Sequence, residues 1–169
     1  MNTDSSVGML RIDAVASDVM VKQVIKLKTE DCVREALLRF ALYRVSGLPI
    51  VNDRNEVVGL ISERILMQRI GRDELKIIPL FYSDFLPMTM AIVYDEERWN
   101  DKLHMIMERN VMELADRHAP IVQMNAKIDE IAALLGKRHV SKVIVAENNV
   151  LAGIISRGDM VRFVSASLL

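Results

Sequence analysis

The 169-residue chain has one cysteine, Cys32, so it can form no internal disulfide. That usage points to a reducing, cytoplasmic setting. No uninterrupted apolar run approaches the roughly 20 residues that cross a bilayer. The most apolar stretch near the middle, residues 77–93, is broken by Pro79, Asp84 and Pro87. Residues 1–8 are polar and lack the basic-then-apolar order of a secretory signal. Charge is balanced, 22 Lys and Arg against 23 Asp and Glu, which removes the general basic surface of a non-specific nucleic-acid binder. No helix-turn-helix stands outside the repeats described below. There is no Gly-rich phosphate loop and no arranged Cys/His or Ser/His/Asp set, so no catalytic residue is assigned. His104 and His118 lack metal-ligand spacing with each other or with Cys32, so no metal is expected. These absences predict a non-catalytic chain that does not insert into a membrane itself, though it could belong to or associate with a membrane protein.

What is present is apolar residue, 51% of the chain, and a long internal repeat. One copy spans about residues 16–70 and the other about 110–164. Each reads as strand, amphipathic helix, two strands joined by a polar turn, and a second helix. The expected first strands are Val24-Ile25-Lys26-Leu27 and Ile121-Val122-Gln123-Met124. Val33, Ala36, Leu37, Phe40 and Ala41 form a helical stripe, as do Ile128, Ile131, Ala132 and Leu135. Thr29 or Asp31 is the expected N-cap of the first helix, and Asn125 that of its counterpart. Strands 47–51 and 57–61 flank the Asx-rich turn 52–55; strands 142–145 and 151–155 flank the turn 147–149. Each copy then enters a helix through a hydroxyl residue, Ser62 or Ser156. This order implies a small mixed sheet with two helices on one face. A copy of roughly 55 residues is marginal alone, so two copies packed together explain the repeat physically.

Val19-Met20, Ser46-Gly47-Leu48-Pro49-Ile50-Val51 and the Gly-x-x-Ser-x-x-Asp run 153–159 resemble CBS domains, and two in tandem resemble a Bateman module. The resemblance implies an α/β (α+β) fold of two CBS domains related by a pseudo-two-fold. The expected division is a tail at 1–14, domains at 15–71 and 110–169, and an insert at 72–109. It also implies a cleft for an adenosine ligand, AMP, ADP, ATP or S-adenosylmethionine, acting as a regulator, with no obligatory cofactor. By the same resemblance Asp159 takes the ribose hydroxyls, Ser156 lies near ribose and phosphate, and Ile121 and Val122 flank the base. Arg157, Lys142 and His139 are candidate phosphate groups. The first copy has Ile65 where the second has Asp159, and Glu63 where the second has Arg157. An isoleucine accepts no ribose hydrogen bond, so Ser62, Arg64, Ile65 and Ile25 are expected to form a degenerate second site.

The insert contains an apolar stretch at 80–87, an acidic run at 95–97 with Trp99 as its expected anchor, and a predicted helix at 97–107. It is expected to pack on the module or its dimer. Leu38 and Leu42 lie off the helical stripe, and with Val161 and Phe163 they suggest a homodimer interface. A protein effector would receive the signal. The rival reading is a ligand-free homodimeric interaction module.

Overall fold

Each copy of the repeat folds into a three-stranded mixed sheet. The computed structural model describes residues 13–70, 77–79, 90–92 and 96–166. In chain order the elements are α1 (Ala16–Val19), β1 (Leu27–Lys28), α2 (Val33–Tyr43), β2 (Gly47–Val51), β3 (Val57–Ser62) and α3 (Glu63–Ile70). An antiparallel pair follows, β4 (Ile77–Pro79) with β5 (Met90–Ile92). Then come α4 (Glu96–Met107), a 3-10 turn (Val111–Glu113), β6 (Ile121–Val122), α5 (Ile128–Gly136), β7 (Lys142–Glu147), β8 (Val150–Ser156) and α6 (Arg157–Ala166). The sheets run β1-β2-β3 and β6-β7-β8, the first pair of each parallel and the second antiparallel.

The register defines which residues correspond. Leu27 pairs with Ile50 and Val122 with Val145, while Gly47 faces Ser62 and Lys142 faces Ser156. Leu27 therefore matches Val122, two residues from the match the sequence suggests. The expected strand at 24–27 shrinks to Leu27–Lys28 because the chain before it is engaged elsewhere: Val21 pairs with Ile154 of the other copy.

That pairing belongs to an exchange of arms between the copies. Ala16 and Met20 lie in the second core, with Ile131, Leu135, Val143 and Ile155. Val111, Leu114 and Ile106 lie in the first, with Leu27, Val33, Phe40 and Leu48. The exchange corrects the expected helix caps. Cys32 and Lys127, not Thr29, Asp31 or Asn125, precede the helices, and neither supplies a side-chain cap. The first N–H of α2 donates to Arg109 O (2.9 Å) and that of α5 to Ala14 O (3.3 Å), so the exchanged backbone satisfies one orphan donor at each helix start. Ala41 and Ala132, expected on the buried stripes, are exposed.

A third apolar cluster, Val57, Leu60, Ala119, Ile144 and Ala146, joins the two sheets. The hairpin ends also meet: Val57 N–H donates to Asn149 O and Leu151 N–H to Asn55 O, both at 2.9 Å. Asn148 and Asn149 hold φ of 51° and 67°, the left-handed region Asn tolerates in a two-residue hairpin turn. The C-terminal half of the insert packs on the first copy through Ile106 and an Arg34–Glu108 ion pair. The expectations for residues 80–87 and for the Trp99 side chain lie outside the described residues.

Candidate functional site

Leu60 exchanges backbone hydrogen bonds with Asp116, at 3.0 and 2.8 Å, which lays the approach to β6 along β3. The start of α3 thereby faces the second copy across a cleft of about 260 Å³. Leu60, Ser62, Arg64 and Ile65 line it from the first copy. Asp116, His118 and Pro120 line it from the approach to β6. Leu134, Lys137, His139, Val140, Ser141 and Lys142 close it from the end of α5 and the start of β7. Ser62 is buried, and its hydroxyl accepts from Ile65 N–H at 3.4 Å.

The charges in the cleft are mostly of one sign. Arg64, Lys137 and Lys142 stand against a single carboxylate, Asp116, whose Oδ1 already accepts from His118 N–H at 2.9 Å. Lys142 is half-buried, and its stem crosses Gly47, where an added Cβ would meet Lys142 Cγ at 3.0 Å. Burial lowers the pKa of its ammonium, only partly offset by the Asp159 and Glu63 carboxylates. Among the described residues it has no carboxylate within 4.0 Å. The loop carrying His139 is fixed from behind by Arg157, which donates to Leu135 O (2.8 Å), Lys137 O (3.1 Å) and Val140 O (2.6 Å).

Asp159 is buried in the first turn of α6. Its Oδ2 accepts from Ser156 N–H (2.7 Å) and from the Ser156 hydroxyl, and its Oδ1 pairs with Arg162. Burial pushes this carboxyl up, but the hydrogen bonds from Ser156 and the Arg162 guanidinium outweigh it, and the net shift is down. The group is therefore an ionised acceptor at neutral pH.

The structure regroups the residues singled out from the sequence. His139 and Lys142 lie in the cleft with Ser62, Arg64 and Ile65. Ile121 and Val122 were grouped with Asp159, but their approach segment runs beside β3 and the Ser62 end, because of the Leu60–Asp116 bridge. Pro120 lines the cleft in their place; Ile121 is exposed and Val122 packs on the second core. Conversely, Val21 bridges Ile154, so it is the approach to β1, containing Ile25, that runs beside the β8 strand leading to Ser156 and Asp159. Ile25 itself is partly buried against the first core. Arg157 does not line the cleft; its Nε and Nη2 donate to backbone carbonyls. Asp116, Pro120 and Lys137 carry no motif that singles them out in the sequence, and His118 is weighed there only as a metal ligand. Residues 116–120 match 21–25 by register yet share no residue with them, so the repeat gave no signal there.

A family model for the CBS domain matches residues 16–72 and 106–166. The uncharacterized protein MJ1426 of Methanocaldococcus jannaschii is 22% identical over 147 residues, covering 85% of this chain and 87% of that one. CBSX2 of Arabidopsis thaliana, solved in complex with AMP, matches with a TM-score of 0.65 at 19% identity, covering 90% of this chain and 96% of that chain. The CBS domain pair of MJ0100, solved with 5′-methylthioadenosine and S-adenosyl-L-methionine, matches with a TM-score of 0.65 at 16% identity, covering 90% and 97%. At these identities the solved structures speak to the fold alone. With more than half its residues matched, in two ordered segments, the chain belongs to the CBS domain family and carries the domain twice.

Proposed function

We propose that this chain is a regulatory module that binds an adenosine-containing ligand between its copies and reports occupancy to a protein partner, catalysing no reaction itself. The observation that carries this reading is the Asp159 carboxylate, ionised and buried at the first turn of α6, close to the β8 edge along which the approach to β1 runs. A carboxylate of that kind accepts both hydroxyls of a ribose through charge-assisted bonds. Oδ1 keeps a free lone-pair direction, and Arg162, 74% exposed, can swing aside. CBSX2 with AMP and the MJ0100 pair with S-adenosyl-L-methionine support this ligand class.

Such a ligand would touch the last helix of one copy and the approach strand of the other. It would shift the relative arrangement of the copies by its difference in affinity between states. Exposed Leu38 and Leu42 on α2 and Val161 on α6 support a homodimer. The single free thiol of Cys32 fits a cytoplasmic setting.

Calorimetric titration with AMP, ADP, ATP and S-adenosylmethionine tests the reading, with Asp159→Asn alongside. Losing a charge-assisted partner costs about 1.5–3 kcal/mol, which weakens that binding event roughly tenfold to hundredfold. Failure of all four ligands to bind nucleotide-free protein would leave a ligand-free interaction module.

A further inference from the structure

We infer that Arg162 is a gate on the Asp159 carboxylate: its guanidinium holds an acceptor that a ribose diol would take, so the chain competes with its own ligand. This rests on the reading of Asp159 as the ribose acceptor and adds how access to it is set.

The acceptor directions of Asp159 are mostly in use. Oδ2 accepts from Ser156 N–H at 2.7 Å and from the Ser156 hydroxyl, and Oδ1 accepts from Arg162 Nη2. A carboxylate offers about four such directions. A diol needs two, and finds them only once Arg162 has left. Arg162 is the partner that yields. The carboxylate side chain is 9% exposed, whereas that of Arg162 is 74% exposed. The guanidinium folds back over Gly158, its Nη1 3.5 Å from where a Cβ would stand there, and it meets no other carboxylate within ion-pair distance among the described residues. Its departure therefore breaks only an exposed contact and returns the charge to water. Asp159 is not left bare, since Ser156 keeps both bonds to Oδ2 and Lys142 stays within electrostatic reach.

The first copy has neither member of the pair. Ile65 stands three residues after Ser62, as Asp159 stands three after Ser156, and Gln68 stands where Arg162 does. The cation is missing where the acid is missing, as a residue that serves the acid should be.

Calorimetry on the full chain with adenosine tests the gate. Adenosine is neutral, so removing a positive charge does not alter its long-range attraction to the protein. Arg162→Met should bind it about twofold to fivefold more tightly, the size of an exposed ion pair. Arg162→Lys, which keeps the cation, should stay nearer the parent. The probe 2′,3′-dideoxyadenosine has no diol and should bind parent and Arg162→Met alike. Ionic strength of about 1 M, where the Debye length is about 3 Å, should narrow the gap for adenosine. In an Asp159→Asn background, Arg162→Met should give no gain. Equal or weaker adenosine binding by Arg162→Met overturns the gate, as does an equal gain with the dideoxy analogue. If Asp159→Asn still weakens adenosine in the parent chain, the ribose reading survives that failure. If Asp159→Asn leaves adenosine untouched, or adenosine binds neither parent nor Arg162→Met, the ribose reading falls and the gate falls with it.

Discussion

Replacing Gly153 by alanine tests the exchanged arm that runs beside β8, the strand leading to Asp159. Gly153 has no positive φ, so its need for glycine is one of space. A Cβ there would lie 2.5 Å from Met20 Sδ, 2.8 Å from Met20 Cγ and 2.9 Å from Met20 Cβ. Carbon atoms in contact sit at about 3.5–4.0 Å, so Met20 must retreat by much of an ångström. Its Cβ cannot swing away as a side-chain tip would, because the Met20 N–H is bonded to Ala16 O at 2.9 Å within the arm. Overpacking of this kind costs about 1–3 kcal/mol, or a Tm lower by roughly 2–12 °C for a chain of this size. Met20→Ala alone removes a side chain that is only 9% exposed, at about 2–5 kcal/mol. Combined, the two should cost less than their sum. Gly59 shows why: there the neighbour is already an alanine, Ala115, and an added Cβ would come no closer than 3.1 Å. Urea denaturation followed by circular dichroism on the parent, both single variants and the double variant gives the coupling energy, expected at about 1 kcal/mol or more. Costs that add to within about 0.5 kcal/mol would show that Met20 does not lie on Gly153 in solution, and the exchange of arms would fall with it.

Arg157→Met removes the donors to Leu135, Lys137 and Val140 carbonyls. Thermal unfolding should register a loss of roughly 2–4 kcal/mol, and an unchanged Tm would mean the loop does not depend on it. The Asp159 pKa is depressed in the folded chain, so its stabilisation is complete above the unfolded value of about 3.9 and disappears as pH falls through the folded value. Asp159→Asn should therefore flatten the acid limb of a stability–pH curve, and an identical limb would refute the pairing with Ser156. Lys142 has its folded pKa lowered, so the unfolded chain holds the proton more tightly and the ligand-free fold gains stability as pH rises toward the ordinary lysine value. Lys142→Met should leave the ligand-free Tm unchanged or raised; a Tm drop would assign the lysine a structural role.

The hairpins were legible in the sequence. Asn148 and Asn149 mark a turn only a few residue types fit, and the runs around them are short, apolar and rich in β-branched residues, as buried strands are. The helices were legible as stripes, although Ala41 and Ala132 show that a stripe read from composition includes one small residue too many. The exchange was not legible, for a physical reason. Helix starts advertise themselves by side-chain caps, but α2 and α5 have none, and the bonds from their first N–H groups to Arg109 O and Ala14 O are backbone contacts that carry no residue signature. Thr29, Asp31 and Asn125 have the chemistry of caps but do not stand at the cap positions, which fall at Cys32 and Lys127. The exchange also changes the neighbours of the first strands: the approach to Ile121-Val122 runs beside β3 of the other copy. Without the exchange, a strand such as Ile121-Val122 appears to serve the helix of its own copy.

The exchange also decides what kind of signal a ligand can give. Residues 21–26 lead back into the arm that fills the second core, and residues 116–120 lead back into the arm that fills the first. On the proposed reading, a ligand at Asp159 pulls on the first of these segments. Each segment is anchored at one end by a buried arm and passes at its other end into a short parallel strand, β1 or β6. Movement at a site is then passed to the packing between copies, where Leu60, Ala119 and Ile144 form a small apolar cluster. That cluster is the smallest of the three, so it is the layer most easily shifted without unfolding either domain. Lys142 lies within electrostatic reach of both Asp159 and Glu63, one beside each helix start. Protonated Lys142 thus couples the two helix starts electrostatically, so a change of charge at one is felt at the other even before the copies move.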